Sequence, residues 1–367
     1  MPRLSVVVLA VVASLPPSGP VLAADISFDT PVVQATLGRP FRVSIGFRSS
    51  LQPIRVELLT RLPGNDSWFV REAELSGGSG RYAAVVEDED HVLPNTRFLY
   101  RFRVTVQGER RLTPEATLTF ADERFSWQVL EGRLVRLHWY EGSREFAQRA
   151  LSIGEKAVAD VSTLLGVTES ERIDFFVYAS QSAFREALGP GTRENVGGQA
   201  NASIRTLFAL IEPSQINSDW VDVVIPHELT HLVFDTAVHN PYREPPHWLD
   251  EGIAVFLSEG YGAGDRSRVA GAGRSGDLIP LDGLSGQFPA TREKFFLAYA
   301  ESVSAVDFFI RKYGRDTLVK LVRSYGQGLT DDEAFTAATG ADVKAFSSAW
   351  LADVGAGVPA AYGPRQG

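Results

Sequence analysis

The hydrophobic pattern of the first third of the chain alternates between apolar and polar positions. Residues 41–47 (Phe-Arg-Val-Ser-Ile-Gly-Phe) and 100–106 (Tyr-Arg-Phe-Arg-Val-Thr-Val) show this alternation, which predicts half-buried β-strands. Gly- and Pro-rich turns at 62–66 and 77–80 separate such segments. Roughly a hundred residues of short strands are typical of an immunoglobulin-like sandwich. Residues 25–123 are therefore predicted to form an all-β domain.

The pattern that follows predicts a mixed domain over residues 124–353. The apolar segment 204–211 is predicted to be an edge strand, and 219–236 a buried helix. A second helix is expected to begin at Pro245-Pro246, since proline is tolerated in a first helical turn. The fold class is therefore α+β. Residues 354–367, rich in Gly, Ala and Pro, are predicted to be a disordered tail.

The amino terminus is typical of a signal peptide. Arg3 precedes an apolar stretch at 4–15, and small residues at 21–24 suit a cleavage site. Twelve apolar residues are too few to cross a bilayer as a helix, and no later stretch is long and apolar enough. We expect removal of residues 1–24 and export without a transmembrane segment, to the periplasm, cell surface or medium. An uncleaved amino-terminal anchor is the alternative.

Composition narrows the classes of partner and chemistry. The formal net charge is −9 and the pI about 5.3, which disfavours nucleic acid as a partner. The chain has no Cys, so disulfides and thiol chemistry are excluded. Arg outnumbers Lys by 31 to 5, which indicates a GC-rich bacterial source.

Candidate chemistry lies on the predicted buried helix, where residues 227–231 read His-Glu-Leu-Thr-His. His227 and His231 are four residues apart and leave one helix face a turn apart, so both imidazoles can meet one Zn²⁺ at roughly 2.0–2.1 Å. Glu228 lies about 100° round the helix, where it can take a proton from the attacking water. A third ligand must come from elsewhere, and Glu251 on the next helix is the candidate. The alternative, two packed histidines, is disfavoured because an unpaired polar cluster is costly between apolar segments.

Three neighbouring residues extend this hypothesis. Gly252, beside Glu251, is predicted to let the second helix approach the zinc helix closely. His239 and His247 flank the loop between the two helices and could reach a substrate. The alternative for both histidines is a solvent-exposed loop position.

Residues 248–254 (Trp-Leu-Asp-Glu-Gly-Ile-Ala) complete a pair of motifs that resembles the gluzincins, the group of thermolysin and aminopeptidase N. The most similar branch is the peptidase MA-like metallohydrolases, and the resemblance covers roughly residues 125–350. It implies a thermolysin-like catalytic domain with His227, His231 and Glu251 as zinc ligands and Glu228 as general base. It also matches Asp235 to a thermolysin aspartate on the zinc helix. The alternative for Asp235 is a polar residue at a helix end.

The resemblance offers two donors to the tetrahedral intermediate. Tyr299, in the segment Tyr-Ala-Glu-Ser, looks like the Tyr of the Tyr-x-Lys-Gly segment in aminopeptidase N relatives, with Glu301 in place of Lys. Tyr242, eleven residues after His231, is similar to a thermolysin tyrosine near the substrate carbonyl. Tyr299 is favoured, and its alternative is packing on neighbouring aromatic side chains.

One segment departs from the aminopeptidase pattern. Residues 197–201 read Gly-Gly-Gln-Ala-Asn, similar to the Gly-x-Met-Glu-Asn segment whose Glu grips the free amino group of the substrate. Ala200 stands at the position of that Glu, which argues against an aminopeptidase. An edge strand can still hold a peptide backbone, and Asn201 is a further candidate for substrate contact. The alternative is a Gly-rich turn before an ordinary strand.

The sequence thus predicts an exported zinc-dependent metallopeptidase that cleaves peptide or protein substrates and is not an aminopeptidase. One alternative is a non-catalytic exported binding or scaffold protein with a structural zinc. Glu228 argues against it, because a structural site has no use for that carboxylate. The other is a zinc hydrolase of non-peptide amides or esters.

Overall fold

The chain divides into two compact units. The computed structural model describes residues 25–88, 90–189, 197–240 and 244–359. Within these ranges, one unit contains residues 25–34, 41–88 and 98–118, and the other contains 35–40, 90–97 and 119–359. The predicted signal peptide, Tyr242 and residues 360–367 lie outside the described residues.

The first unit is an all-β sandwich of two sheets, which agrees with the predicted immunoglobulin-like fold. In one sheet the strand order is β1-β3-β7-β6 with β2 beside β3, and in the other it is β10-β8-β4-β5 with β9 beside β8. Alternate residues of β3 and β8, such as Val43 and Phe102, are fully buried, so the predicted alternation is confirmed. The strands are β1 (Ile26–Phe28), β2 (Val32–Gln34), β3 (Phe41–Ser49), β4 (Arg55–Arg61), β5 (Phe69–Glu72), β6 (Glu74–Gly78), β7 (Arg81–Asp88), β8 (Arg97–Val106), β9 (Glu109–Leu112) and β10 (Ala116–Thr119).

The second unit contains a mixed sheet. Its strands are β11 (Gln128–Glu131), β12 (Val135–Trp139), β13 (Ile173–Tyr178), β14 (Gly198–Asn201) and β15 (Thr206–Leu210). The order is β11-β12-β13-β15-β14, with β12, β13 and β15 parallel and the outer strands antiparallel.

The edge strand differs from the one predicted. The segment 204–211 contains β15, which lies inside the sheet with Leu207, Phe208 and Ala209 buried. The edge is β14 instead, because a short 3-10 turn (Ala202–Ile204) returns the chain against β15. A continuous apolar run is what a strand buried on both faces requires.

Helices pack around this sheet and complete the α+β class predicted from the sequence. The predicted helix 219–236 is α3, which is two residues longer. No helix within the described ranges combines the length and apolar character needed to cross a membrane. The helices are α1 (Arg144–Leu165), α2 (Gln181–Leu188), α3 (Asp219–Val238), α4 (His247–Ser258), α5 (Ala263–Ser275), α6 (Arg292–Tyr313), α7 (Arg315–Gly326), α8 (Asp331–Thr339) and α9 (Val343–Asp353).

Two local expectations are corrected by the packing. A Cβ on Gly252 would lie 2.5 Å from the Ser302 carbonyl oxygen, so this glycine permits close approach of α4 to α6 rather than to the zinc helix. One residue along a helix is about 100° of rotation, and Glu251 already faces α3. Residues 354–356 begin the predicted disordered tail, but they cap α9, with Val354 and Ala356 donating to carbonyls of its last turn.

Candidate metal centre

Two helices bring the three predicted ligands together. A buried stripe of Ile225, Leu229 and Val233 fixes the rotation of α3 in the core and leaves His227 and His231 facing α4. The two Nε2 atoms are 3.4 Å apart, and Glu251 Oε2 lies 3.3 and 3.8 Å from them.

Glu251 provides the test of whether a metal fits. The residue is 7% exposed, and its Oε2 has no hydrogen-bond partner among the described residues. A buried acceptor without a partner costs about 1–3 kcal/mol, which a cation at this point would offset. Two imidazoles and one carboxylate, with all three donor atoms within 4.8 Å of one another, match the ligand set of a zinc site with one open position. The residues therefore fit Zn²⁺.

The electrostatics of the cluster favour an ionised Glu251 beside the histidines. Burial alone would raise the pKa of Glu251, but the proximity of His227 and the charge of His231 lower it to about 2. Burial would likewise lower the pKa of His231, yet the charge and hydrogen bond of Asp250 raise it to about 10. A metal that binds His231 must displace a proton, so metal affinity should weaken as the pH is lowered.

Asp250 contacts the cluster, and the sequence analysis did not single it out. Its Oδ1 lies 2.9 Å from Nδ1 of His231, a contact that leaves Nε2 turned toward Glu251. The available signal was its place directly before Glu251 in the motif 248–254. Asp235, which the resemblance matches to a thermolysin aspartate, is exposed in the last turn of α3, where its carbonyl accepts the His239 N–H.

Glu228 faces the edge of the sheet. Its Oε2 accepts a hydrogen bond of 3.0 Å from the backbone N–H of Ala200 in β14. The carboxylate is thus held beside the two histidines on the side where the strand edge runs, and it is not one of the converging ligand atoms.

Tyr299 lies near the cluster on α6 and is half-buried. Its ring centroid is 6.2 Å from that of His227, and it also packs on Phe288 and Phe295 at 5.2 and 5.0 Å. The structure therefore shows the aromatic packing of the alternative and places the Tyr299 ring beside that of His227. Tyr242, the rival, lies outside the described residues.

The remaining candidates separate clearly. His247 opens α4 with its Nε2 3.5 Å from Glu251 Oε1 and its ring 4.6 Å from that of Phe288, so it belongs to the site. His239 ends α3 with a left-handed φ of 43° and is exposed. Asn201 ends β14, and its Oδ1 accepts the Ser203 hydroxyl at 2.7 Å.

A cleft of about 440 Å³ opens beside His231. Ala200 lines it on the strand side, and His231 and Asp250 line it on the metal side. Its other lining residues in the described part of the chain are Ala202, Leu232, Phe234, Asp235, Val238, Asn240, Glu244, Pro245, His247, Ser285, Gly286 and Gln287.

A histidine pair on one helix, completed by Glu from the next helix, is the ligand pattern of the gluzincin class. The family model described as the Peptidase MA superfamily matches residues 153–356, more than half of the chain. The chain belongs to the peptidase MA superfamily and is a metallopeptidase of the gluzincin type.

Comparison with solved structures gives distant similarities. An aminopeptidase N family protein from Idiomarina loihiensis is 11% identical, with 89% of this chain and 76% of that chain covered and a TM-score of 0.47. An M1 zinc metallopeptidase from Deinococcus radiodurans is 13% identical, with 92% and 96% covered and a TM-score of 0.40. Both TM-scores lie below 0.5, so the assignment of the chain to its family rests on the family model alone. The curated proteins gave no match.

Proposed function

We propose that this protein is an exported, catalytic zinc peptidase that hydrolyses peptide bonds without needing a free amino terminus on its substrate. The observation that carries the catalytic part is the convergence of donor atoms from His227, His231 and Glu251. Among these atoms, the buried Oε2 of Glu251 has no hydrogen-bond partner among the described residues.

The chain's own residues divide the chemistry between them. When bound, Zn²⁺ supplies a Lewis acid that polarises the scissile carbonyl and acidifies water. His227, His231 and Glu251 would hold it, and Glu228 takes the proton of the attacking water and passes it to the leaving amine. The Tyr299 hydroxyl donates a hydrogen bond to the oxyanion of the tetrahedral intermediate.

The strand beside the cleft differs from the aminopeptidase pattern. Ala200 lines the cleft next to His231 and offers a methyl group where the aminopeptidase pattern has the amine-binding Glu. Among the strands that the structure describes, none pairs with the outer edge of β14. An extended peptide can therefore add along the part of that edge that the hydrogen bond from Ala200 to Glu228 does not occupy.

Glu228→Gln tests the catalytic role. The variant should keep about one zinc per chain and lose hydrolysis of a mixed peptide library by roughly a hundredfold or more, because it removes the base and not a ligand. His231→Ala is the control and should lose the metal. Activity of Glu228→Gln within tenfold of the native chain would assign proton transfer to another group. A zinc-loaded native chain that cleaves neither peptides nor esters would support the scaffold alternative.

Paired peptides test the substrate end. The same peptides with free and acetylated amino termini should be cleaved at rates within about threefold of each other. Ala200→Glu should shift the preference toward free amino termini, since it adds an anionic partner inside the cleft. Strong selection for free amino termini by the native chain would make it an aminopeptidase.

A further inference from the structure

The edge strand β14 contacts the proposed base directly through its backbone. It pairs with β15 in the register Gly198↔Ala209, Gln199↔Phe208 and Ala200↔Leu207. Because backbone groups alternate in direction along a strand, the N–H of Ala200 points away from β15. That N–H donates to Glu228 Oε2 at 3.0 Å.

A second contact lies two residues earlier on the same strand. Gly198 is buried, and a Cβ at this position would lie 2.7 Å from Glu228 Cγ and 3.2 Å from Val224 Cγ2. Its φ is not in the left-handed region, so the glycine is needed here for space. The strand therefore touches Glu228 at its methylene and at its carboxylate.

We propose that Gly198 and the peptide N–H of Ala200 are positioning elements for the general base, an inference that rests on the catalytic role of Glu228. Because Gly198 has no side chain, the Glu228 methylenes fit against the strand. The N–H of Ala200 fixes the position of the Glu228 carboxylate. Because the donor is backbone, most side-chain substitutions at 200 leave the hydrogen bond in place. Displacing a reacting group by about 1 Å can lower the reaction rate a hundredfold. These two contacts therefore affect turnover rather than metal binding.

Gly197 offers a matched control on the same stretch of chain. A Cβ there would lie 3.1 Å from Cζ3 of Trp220 and would not meet Glu228 among its nearest atoms. Gly197→Ala and Gly198→Ala therefore add the same methyl group to neighbouring positions, and only the second presses on the base.

The first arm of the test needs no catalysis. Amide hydrogen exchange of the full zinc-loaded chain, followed by NMR, should show the Ala200 amide exchanging about tenfold faster or more in Glu228→Ala than in the native chain. The Gln199 amide, turned toward β15, should be unchanged. Equal exchange at Ala200 in both chains would overturn the proposal.

The second arm separates positioning from structure. With a peptide that the native chain cleaves, Gly198→Ala should lower kcat tenfold or more, with KM within about threefold and zinc content unchanged. Gly197→Ala should stay within about threefold of native. If Gly198→Ala fails to fold, Ala200→Pro decides, since proline at this position removes the N–H that meets Glu228 without removing a hydrogen bond to β15. It should also lower kcat about tenfold. Native kcat in the folded variant overturns the proposal. Native activity of Glu228→Gln would instead overturn the proposed base, while the exchange arm still reports the contact.

Discussion

At the scale of single residues, Asp250 determines how His231 presents its ring, because its carboxylate holds Nδ1 at 2.9 Å. Removing such a partner of a metal-binding histidine costs about 10- to 100-fold in metal affinity. We therefore expect Asp250→Ala to weaken zinc binding by that factor, measured by chelator competition on the full chain. Asp235→Ala is the control and should leave the affinity nearly native. Equal affinities in all three chains would contradict the role of Asp250.

Tyr299 carries the second prediction at this scale. Phe at this position keeps the ring that packs on Phe288 and Phe295 and removes only the hydroxyl. Tyr299→Phe should therefore lower kcat by roughly a hundredfold or more and leave KM nearly unchanged. Steady-state kinetics of Tyr242→Phe provides the comparison. If Tyr299→Phe keeps the native kcat and Tyr242→Phe loses it, the oxyanion donor is Tyr242.

At the scale of elements, a buried carboxyl joins α6 to the segment before the 3-10 turn Leu281–Leu284. Glu301 is fully buried, and both its oxygens lie within hydrogen-bond distance of the Ile279 N–H, at 3.0 and 3.2 Å. Burial raises the pKa of Glu301 to about 8 from 4.5, against the opposing effects of that N–H and of Lys294. The native state thus keeps a proton that the unfolded chain releases.

The sign of the pH dependence follows from this raised pKa. Stability associated with Glu301 is greatest below about pH 4.5 and falls as the pH rises toward 8, by at most about 1.4 kcal/mol per pH unit. Glu301→Gln cannot titrate, so its melting temperature should fall less than that of the native chain between pH 5.5 and 8, which thermal unfolding of both chains would measure. Parallel curves would show that this carboxyl does not set the pH dependence.

At the scale of the whole molecule, the boundary predicted near residue 123 leaves parts of the second unit on its amino-terminal side. Asn95 donates to Asp174 Oδ2 at 3.1 Å and to Thr206 Oγ1 at 2.9 Å, and His91 Nε2 lies 2.8 Å from the Ala187 carbonyl. Both residues precede the predicted catalytic domain but cluster with the second unit. They tie the segment 90–97 to the sheet and to α2.

A chain shortened to residues 124–367 should keep about one zinc per chain, because α3 and α4 remain intact. It should melt several degrees lower, since losing a partner of a buried charged group costs about 1–3 kcal/mol and each kcal/mol shifts Tm by about 2–4 °C. Calorimetry with Asn95→Ala in the full chain should reproduce part of the loss. An unchanged Tm in both would show that Asn95 adds nothing, and failure of the short chain to fold would show that the segment is essential.

The features that the sequence predicted by itself depend on short-range backbone geometry. The spacing of His227 and His231 is fixed by helical geometry, and alternation along β3 and β8 is fixed by the pleat, so neither depends on distant parts of the chain. Glu251 was found through a motif of seven residues within one helix. The α+β class, the sandwich and the zinc helix followed from such short-range patterns.

Contacts between elements were decided only by the tertiary structure. The partner of Gly252 is α6, the edge strand is β14, and Asp250 contacts Nδ1 of His231. Each depends on how one element is rotated or placed against another that is distant in sequence, and many residues set that packing together. The hydrogen bond from Ala200 to Glu228 is of the same kind, because its donor is backbone and no side-chain pattern encodes its direction.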